Sequence, residues 1–333
     1  MSKTDFSSTA VAVVGAGAWG SALALTAARG GARVLLYGRD SAAIAEIGRT
    51  RRPPALPEAL LPENVVATDQ PERLNEAGVV LLAVPAQATR AALGTLSRFF
   101  SPDAVLVSCA KGIERDTGLL LSEVIGVTCL GAPLAVLSGP GFAVDLARGL
   151  PTAVTIAAAE HGLAEALCRL MAGPSFRPYA THDVTGVELG GALKNVLAIA
   201  AGLVSGRGLG ASAQAAVITR GFVEMHRLAA AFGARSETLM GLSGFGDLIL
   251  TCSSAQSRNY SLGLAIGAGS DPRSFGKLAE GAATAAIAVA RASAFGVDVP
   301  IMSAVADILD GKESIPDVVD RLMARPLKRE DAH

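Results

Sequence analysis

The stretch "AVAVVGAGAWGSALALTAARGG" constrains the fold more than any other part of the chain. Gly15, Gly17 and Gly20 stand in G-x-G-x-x-G spacing, after an apolar run and at the opening of an apolar helix. The spacing alone is weak, because glycine turns are common. A strand before it and a helix after it make it a dinucleotide fingerprint. Gly15 permits the tight turn, Gly17 lets the backbone approach a pyrophosphate, and Gly20 lets the helix pack on the strand. The helix N-terminus then offers free N–H groups to the anion. Lys3 before an apolar run also resembles the start of a signal peptide, but the strand and glycine turn are the better reading of these residues, and the chain is expected in the cytoplasm.

Further β-branched runs at 33–38, 78–85, 104–112 and 133–140 each end in Gly or Pro. Continuous apolar runs of this kind are expected of parallel strands buried on both faces. The segments between them are long enough for crossover helices, which makes the fold class α/β. Residues 152–157 and 176–181 read as additional strands. From about residue 184 the strand signal stops, and Ala- and Leu-rich stretches follow at 186–205, 212–232, 277–295, 301–310 and 315–325. A chain of 333 residues exceeds the usual reach of one core. The expected division is therefore a dinucleotide-binding domain over 1–183 and an all-helical domain over 184–333, with the ligand cleft between them.

Aromatics make up only 4% of the chain while Gly and Ala abound, so packing must be close and backbone to backbone. The net charge of −1, with no basic block, disfavours nucleic acid or an anionic membrane as the partner. Cys109, Cys129, Cys168 and Cys252 form no C-x-x-C and no paired spacing with histidine, which suits a reducing compartment and no metal site. The uncharged run 124–144 reaches spanning length, but glycines and prolines interrupt it, so no integral membrane segment is expected.

The end of the second strand reads out the ribose. An NAD-only site usually has an acidic residue there. This chain has "LLYGRD", in which Gly38 leaves room and Arg39 can pair a 2′-phosphate bidentately. NADP(H) is expected to be accepted, and Asp40, one residue late, leaves NAD(H) accommodated as well.

"GGALKNVLAI" places Lys194 in an otherwise buried helix, where an ammonium costs several kcal/mol unless something offsets it. Its helical neighbours Val187, Gly190, Gly191, Leu197, Ala198 and Ala201 are mostly small, and would leave a shallow groove for a ligand. A lysine snorkelling to solvent is the bland alternative. Two other segments weigh against it. Lys111 follows a strand, at the edge where parallel sheets face their ligands. In "SGFGDLILTCSSAQSRNYS", Asp247 and Thr251 share a helical face, and Arg258 and Asn259 suit a phosphate.

With "VVGAGAWGSALA", "VPAQ", "AKGIE", "LSGPGFA", "ELGGALKNVLAIAAG", "ITRG", "GLSGFGDLILTC", "SRN" and "AEGAATA", the chain resembles the bacterial type of NAD(P)-dependent sn-glycerol-3-phosphate dehydrogenase nearly end to end. The resemblance implies a Rossmann-like N-terminal domain with a mostly parallel sheet, and a helical C-terminal domain of the 6-phosphogluconate dehydrogenase kind. It implies a homodimer that interconverts dihydroxyacetone phosphate, a phosphorylated triose, and sn-glycerol 3-phosphate for phospholipid synthesis. Carried over by residue, Lys194 is the general acid/base, Lys111 a cation near substrate and cofactor, and Asp247 a contact to substrate or lysine. Ser257, Arg258 and Asn259 would hold the phosphate, with Thr251, Gly139 and Gly141 lining the substrate. Gly15, Gly17, Ala18, Trp19, Gly20, Arg39, Ala143, Leu278 and Glu280 would line the cofactor, which Arg258 also reaches. Two departures stand out: Gly141 replaces a family Ser or Thr, and Ala211-Ser212 replaces Asp-Asn.

The chemistry agrees with these residues. Reducing a ketone leaves an alkoxide that needs a proton, and a lysine near a second lysine and an apolar wall has its pKa pushed down towards that task. The nearest alternative is a related two-domain dehydrogenase acting on a 3-hydroxy acid or 2-ketopantoate, whose carboxylate substrate would not call for the Arg258–Asn259 segment. A nucleotide-sensing binding protein would show a basic face, which the balanced charge lacks.

Overall fold

In the computed structural model, residues 6, 9–276 and 278–326 are described. Eight strands form one sheet: β1 (Ala10–Val14), β2 (Val34–Tyr37), β3 (Val65–Thr68), β4 (Ala77–Leu82), β5 (Val105–Ser108), β6 (Leu134–Ser138), β7 (Thr152–Ala157) and β8 (Phe176–Thr181). Their order is β3-β2-β1-β4-β5-β6-β7-β8. The first six run parallel, β7 runs antiparallel to β6, and β8 is parallel to β7. The 3-2-1-4-5-6 order is that of the doubly wound dinucleotide fold, whose ligands bind beyond the carboxyl ends of the strands.

Every expected strand is present. The one that sequence reading missed is β3, whose apolar run is only Val65-Val66-Ala67, with Val66 facing solvent. Alternate residues of β1 serve two cores. Val11 and Val13 pack with the glycine-loop helix (Ala18–Arg29) on one face, and Ala12 and Val14 pack with Leu93 and Val124 on the other.

After β8 the described residues contain only helices and loops. The lysine helix (Val184–Gly206) runs through the centre of this region, and is buried from Gly186 to Val204. It is long and apolar enough to cross a membrane, yet its whole apolar window lies inside the protein. The expected helical stretches correspond to it and to helices Ala211–Ala231, Glu280–Ala294, Pro300–Leu309 and Ile315–Met323. Shorter helices at Ser236–Met240, Asp247–Cys252 and Arg258–Gly267 add to them, with a π-helical turn over Leu242–Gly246.

The glycines explain how a core so poor in aromatics closes. Gly202 and Gly206 of the lysine helix lie on the carbonyls of Tyr260 and Leu264. Gly263 and Gly267 of the crossing helix lie on those of Ile199 and Leu203. A Cβ at any of the four would strike a carbonyl oxygen, so the two backbones touch directly. Ile113 and Leu120, from the loop after β5, also belong to the core of the helical region.

Candidate active site

At the carboxyl end of β1 the three glycines have three different duties. Gly15 has φ +116°, and its missing Cβ would lie 2.9 Å from the Ala83 carbonyl oxygen. A Cβ on Gly20 would collide with the Gly15 carbonyl. Gly17 has nothing within 4 Å of its missing Cβ, so open space lies over the helix start. The first N–H to find a helical acceptor is that of Ser21, on the Gly17 carbonyl, which leaves the first-turn donors of Ala18, Trp19 and Gly20 pointing at that space.

Past β2, Gly38 is packed against Ala16 and Ile44, and Arg39 is exposed. Asp40 caps helix Ser41–Thr50, accepting from the N–H groups of Ala42 and Ala43 at 3.1 Å each. One oxygen of its carboxylate is therefore already engaged as a helix cap, while the Arg39 side chain lies exposed at this corner.

The lysines converge on one carboxylate. Lys194 Nζ donates to Asp247 Oδ1 at 2.6 Å and to Thr251 Oγ1 at 2.6 Å. Lys111 Nζ donates to Asp247 Oδ2 at 2.7 Å and to the Gly139 carbonyl at 2.8 Å. Thr251 Oγ1 donates its own proton back to the Asp247 carbonyl at 2.6 Å. The π-helical turn before Asp247 delivers its side chain to this point, and the Asp247 side chain is only 1% exposed. Burial lowers the Lys194 amine to about 8, the nearby Lys111 charge pushes the same way, and Asp247 opposes both. Lys194 is thus neither a snorkelling lysine nor a simple ion pair.

The small neighbours of Lys194 do not form an open groove. A Cβ at Gly190 would lie 2.6 Å from the Ser243 carbonyl oxygen, and one at Gly191 would lie 2.5 Å from Ser138 Oγ and 3.3 Å from Lys111 Cγ. The gap that the glycines make is filled by protein, and Lys111 lies toward the helix that follows the glycine loop. Lys111 Nζ stands 5.7 Å from the centre of the Trp19 ring. The missing Cβ of Gly141 is 3.6 Å from the same ring. Ala143 opens helix Ala143–Ala147 beside it.

Glu280 crosses from the helical region to accept from Ala86 N at 3.1 Å. Burial raises its pKa, against the Ala86 N–H and the field of Arg258. Its second oxygen, like Trp19 Nε1, Ser138 Oγ and Ser243 Oγ, is buried without a hydrogen-bond partner. Arg258 is exposed at the start of helix Arg258–Gly267, which Ser257 caps through Tyr260 N at 3.2 Å. Leu278 is exposed nearby in sequence, and Ala211 and Ser212 begin an exposed helical turn.

Asn259 does not point to solvent. Its amide donates to Asn195 Oδ1 at 2.9 Å and its oxygen accepts from Gly281 N at 2.9 Å. Asn195 in turn donates to the Lys111 carbonyl at 3.2 Å. Sequence reasoning gave Asn195 no role, although a carboxamide beside a buried lysine in an apolar run was a signal for one. It also passed over Ser138 and Ser243, which nothing in their local pattern distinguishes.

Comparison with known proteins gives the family. Residues 10–164 match the model for the N-terminus of NAD-dependent glycerol-3-phosphate dehydrogenase, and 183–320 match that for its C-terminus. A glycerol-3-phosphate dehydrogenase [NAD(P)+] of Bradyrhizobium sp. (strain ORS 278) is 53% identical over 96% of this chain and 98% of its own. The enzyme of that name from Brucella ovis is 52% identical over 97% of this chain and all of its own. The crystal structure of glycerol-3-phosphate dehydrogenase from Coxiella burnetii superposes with a TM-score of 0.90 at 36% identity, covering 95% of this chain and 99% of that one. With both halves matched and the cleft built as described, the chain belongs to the NAD-dependent glycerol-3-phosphate dehydrogenase family.

Proposed function

We propose that the chain interconverts dihydroxyacetone phosphate and sn-glycerol 3-phosphate, with Lys194 as the group that gives and recovers the proton. The observation that carries this is the sharing of Asp247 by buried Lys194 and partly buried Lys111, the latter beside the Trp19 ring. The residues fit a dinucleotide: open space over Gly17, free helix-start donors, and orphaned buried atoms on Trp19 and Glu280. Gly15, Gly17, Ala18 and Gly20 would take the pyrophosphate, with Trp19, Ala143, Leu278 and Glu280 around the remainder and Arg39 at the ribose.

The nicotinamide supplies the hydride when bound. The developing alkoxide at C2 is then met by the Lys194 ammonium, which gives its proton to that oxygen. Lys111 holds positive charge close by, and Asp247 fixes both amines through its two oxygens. Thr251 locks the rotamer of Lys194 and the start of its helix turn. Exposed Arg258, at a helix N-terminus capped by Ser257, is the phosphate ligand, and Gly139 and Gly141 line the approach. Asn259 serves by holding Asn195 and helix Glu280–Ala294 in place.

We place the division between the two domains at 183/184, two residues after β8 and at the N-cap of the lysine helix. On the family resemblance we read the protein as a cytoplasmic homodimer whose product feeds glycerophospholipid synthesis. Oxidation of NADPH and NADH with dihydroxyacetone phosphate against 2-ketopantoate tests the substrate. Turnover of the first alone is expected, and turnover of the second alone would overturn the reading.

A further inference from the structure

One face of the lysine helix forms a rail against the sheet domain. Glu188, Gly191 and Asn195 lie on it, three and four residues apart. At the far end, Glu188 Oε1 accepts from Ser122 N at 2.8 Å, and Oε2 accepts from Ser122 Oγ. At the near end, Asn195 donates to the Lys111 carbonyl. Between them, Gly191 makes room for the Lys111 stem. The segment 111–122 is therefore fastened at both ends to the helix that carries Lys194, and Ile113 and Leu120 seat its middle in the helical core.

Helix Leu121–Thr128 needs this outside help. Its N-cap is Leu120, which has no side-chain acceptor to offer, and Glu123 is spent on Leu120 N at 2.7 Å. The acceptor for the Ser122 N–H comes from the other side of the domain boundary. A carboxylate buried there is costly, so a merely structural cap would be made more cheaply by a serine of the helix itself.

We propose that Glu188 is a positioning residue: with Ser122 it anchors the 111–122 segment along the lysine helix and so fixes Lys111 against Asp247 and Lys194. This rests on the reading of Lys111 as an acting group, and the test separates the two. Kinetics of the full-length protein are compared for E188A, E188Q, K111M and the E188A/K111M pair, with thermal unfolding alongside. E188A is expected to lower kcat/KM for dihydroxyacetone phosphate about tenfold with the KM for NADPH changed less than about twofold. E188Q, which keeps one acceptor oxygen for Ser122 N, recovers most of that loss. In the K111M background E188A is expected to cost less than about twofold, because the group it positions is gone. A full additive loss there, with K111M itself impaired, would overturn the anchoring. Normal turnover by K111M alone would overturn the role of Lys111, and the anchoring with it. E188Q reports independently should E188A fold poorly, and an E188Q enzyme as impaired as K111M would also count against the proposal.

Discussion

Replacing Asp247 by Asn is the most informative single change, because it keeps the shape of the site while removing its negative charge and one of the two oxygens that hold the lysines. Lys194 sits at about 8 through a balance: burial and Lys111 push it down, and Asp247, 2.6 Å away, pushes it up. An amide leaves the first two unopposed. A hydrogen bond to a charged group contributes about 1.5–3 kcal/mol. One pKa unit corresponds to about 1.36 kcal/mol, so the Lys194 pKa should fall by about one to two units, to about 6–7. Reduction needs the ammonium form, so kcat/KM for dihydroxyacetone phosphate is flat below this pKa and declines above it. Oxidation of glycerol 3-phosphate needs the neutral amine and rises through the same pH. The assay is kcat/KM in both directions at saturating cofactor, from about pH 5 to about pH 10. In the native protein both limbs should turn near 8, and in D247N both should turn at lower pH. An inflection that stays in place, or moves up, would refute the electrostatic account of Lys194.

Lys194→Met should lower kcat by about 10²–10⁴ with little change in NADPH binding by fluorescence titration. Because the folded pKa lies below the ordinary lysine value of 10.5, native stability is lost as pH falls from there towards about 8. Met removes that slope while Lys111 still pairs Asp247, so thermal unfolding at neutral pH should occur no lower than in the native protein. Gly17→Val fills only open space, so it should raise the KM for NADPH at least about tenfold with the melting temperature kept, whereas Gly20→Ala strikes the Gly15 carbonyl and should fail in thermal unfolding itself. Arg39→Ala should reduce kcat/KM for NADPH about tenfold or more and leave NADH nearly unchanged, and an equal loss with both cofactors would remove Arg39 from the 2′-phosphate.

What could be read from residues alone follows their periodicity. The doubly wound sheet was legible because its parallel strands β1, β2, β4, β5 and β6 carry apolar runs, and β3 was not because its run is short and its middle faces water. Gly15, Gly17 and Gly20 were legible because their duties are backbone duties, set by spacing along one turn. The pairing of Lys111 with Asp247, 136 residues apart, has no periodic trace and depends on how the two domains meet. So does the anchoring of Ser122 by Glu188, since a single glutamate in an apolar helix does not name its partner.

The glycines beside Lys194 carry the same point into the chemistry. Read along the helix, Gly190 and Gly191 were a groove for substrate. In space they are where the Ser243 carbonyl, the Ser138 hydroxyl and the Lys111 stem close on the helix backbone. That closure excludes water from the lysine, and burial is the largest cause of its lowered pKa. Small residues thus act on catalysis through contact rather than through space. Gly191→Ala tests this. The added methyl must displace Ser138 Oγ or the Lys111 stem, which loosens the lysine pair. The reductive pH limb should then move up towards the ordinary lysine range, with kcat lowered. A faster enzyme with a relaxed substrate preference would instead mean that the glycines had been lining a pocket.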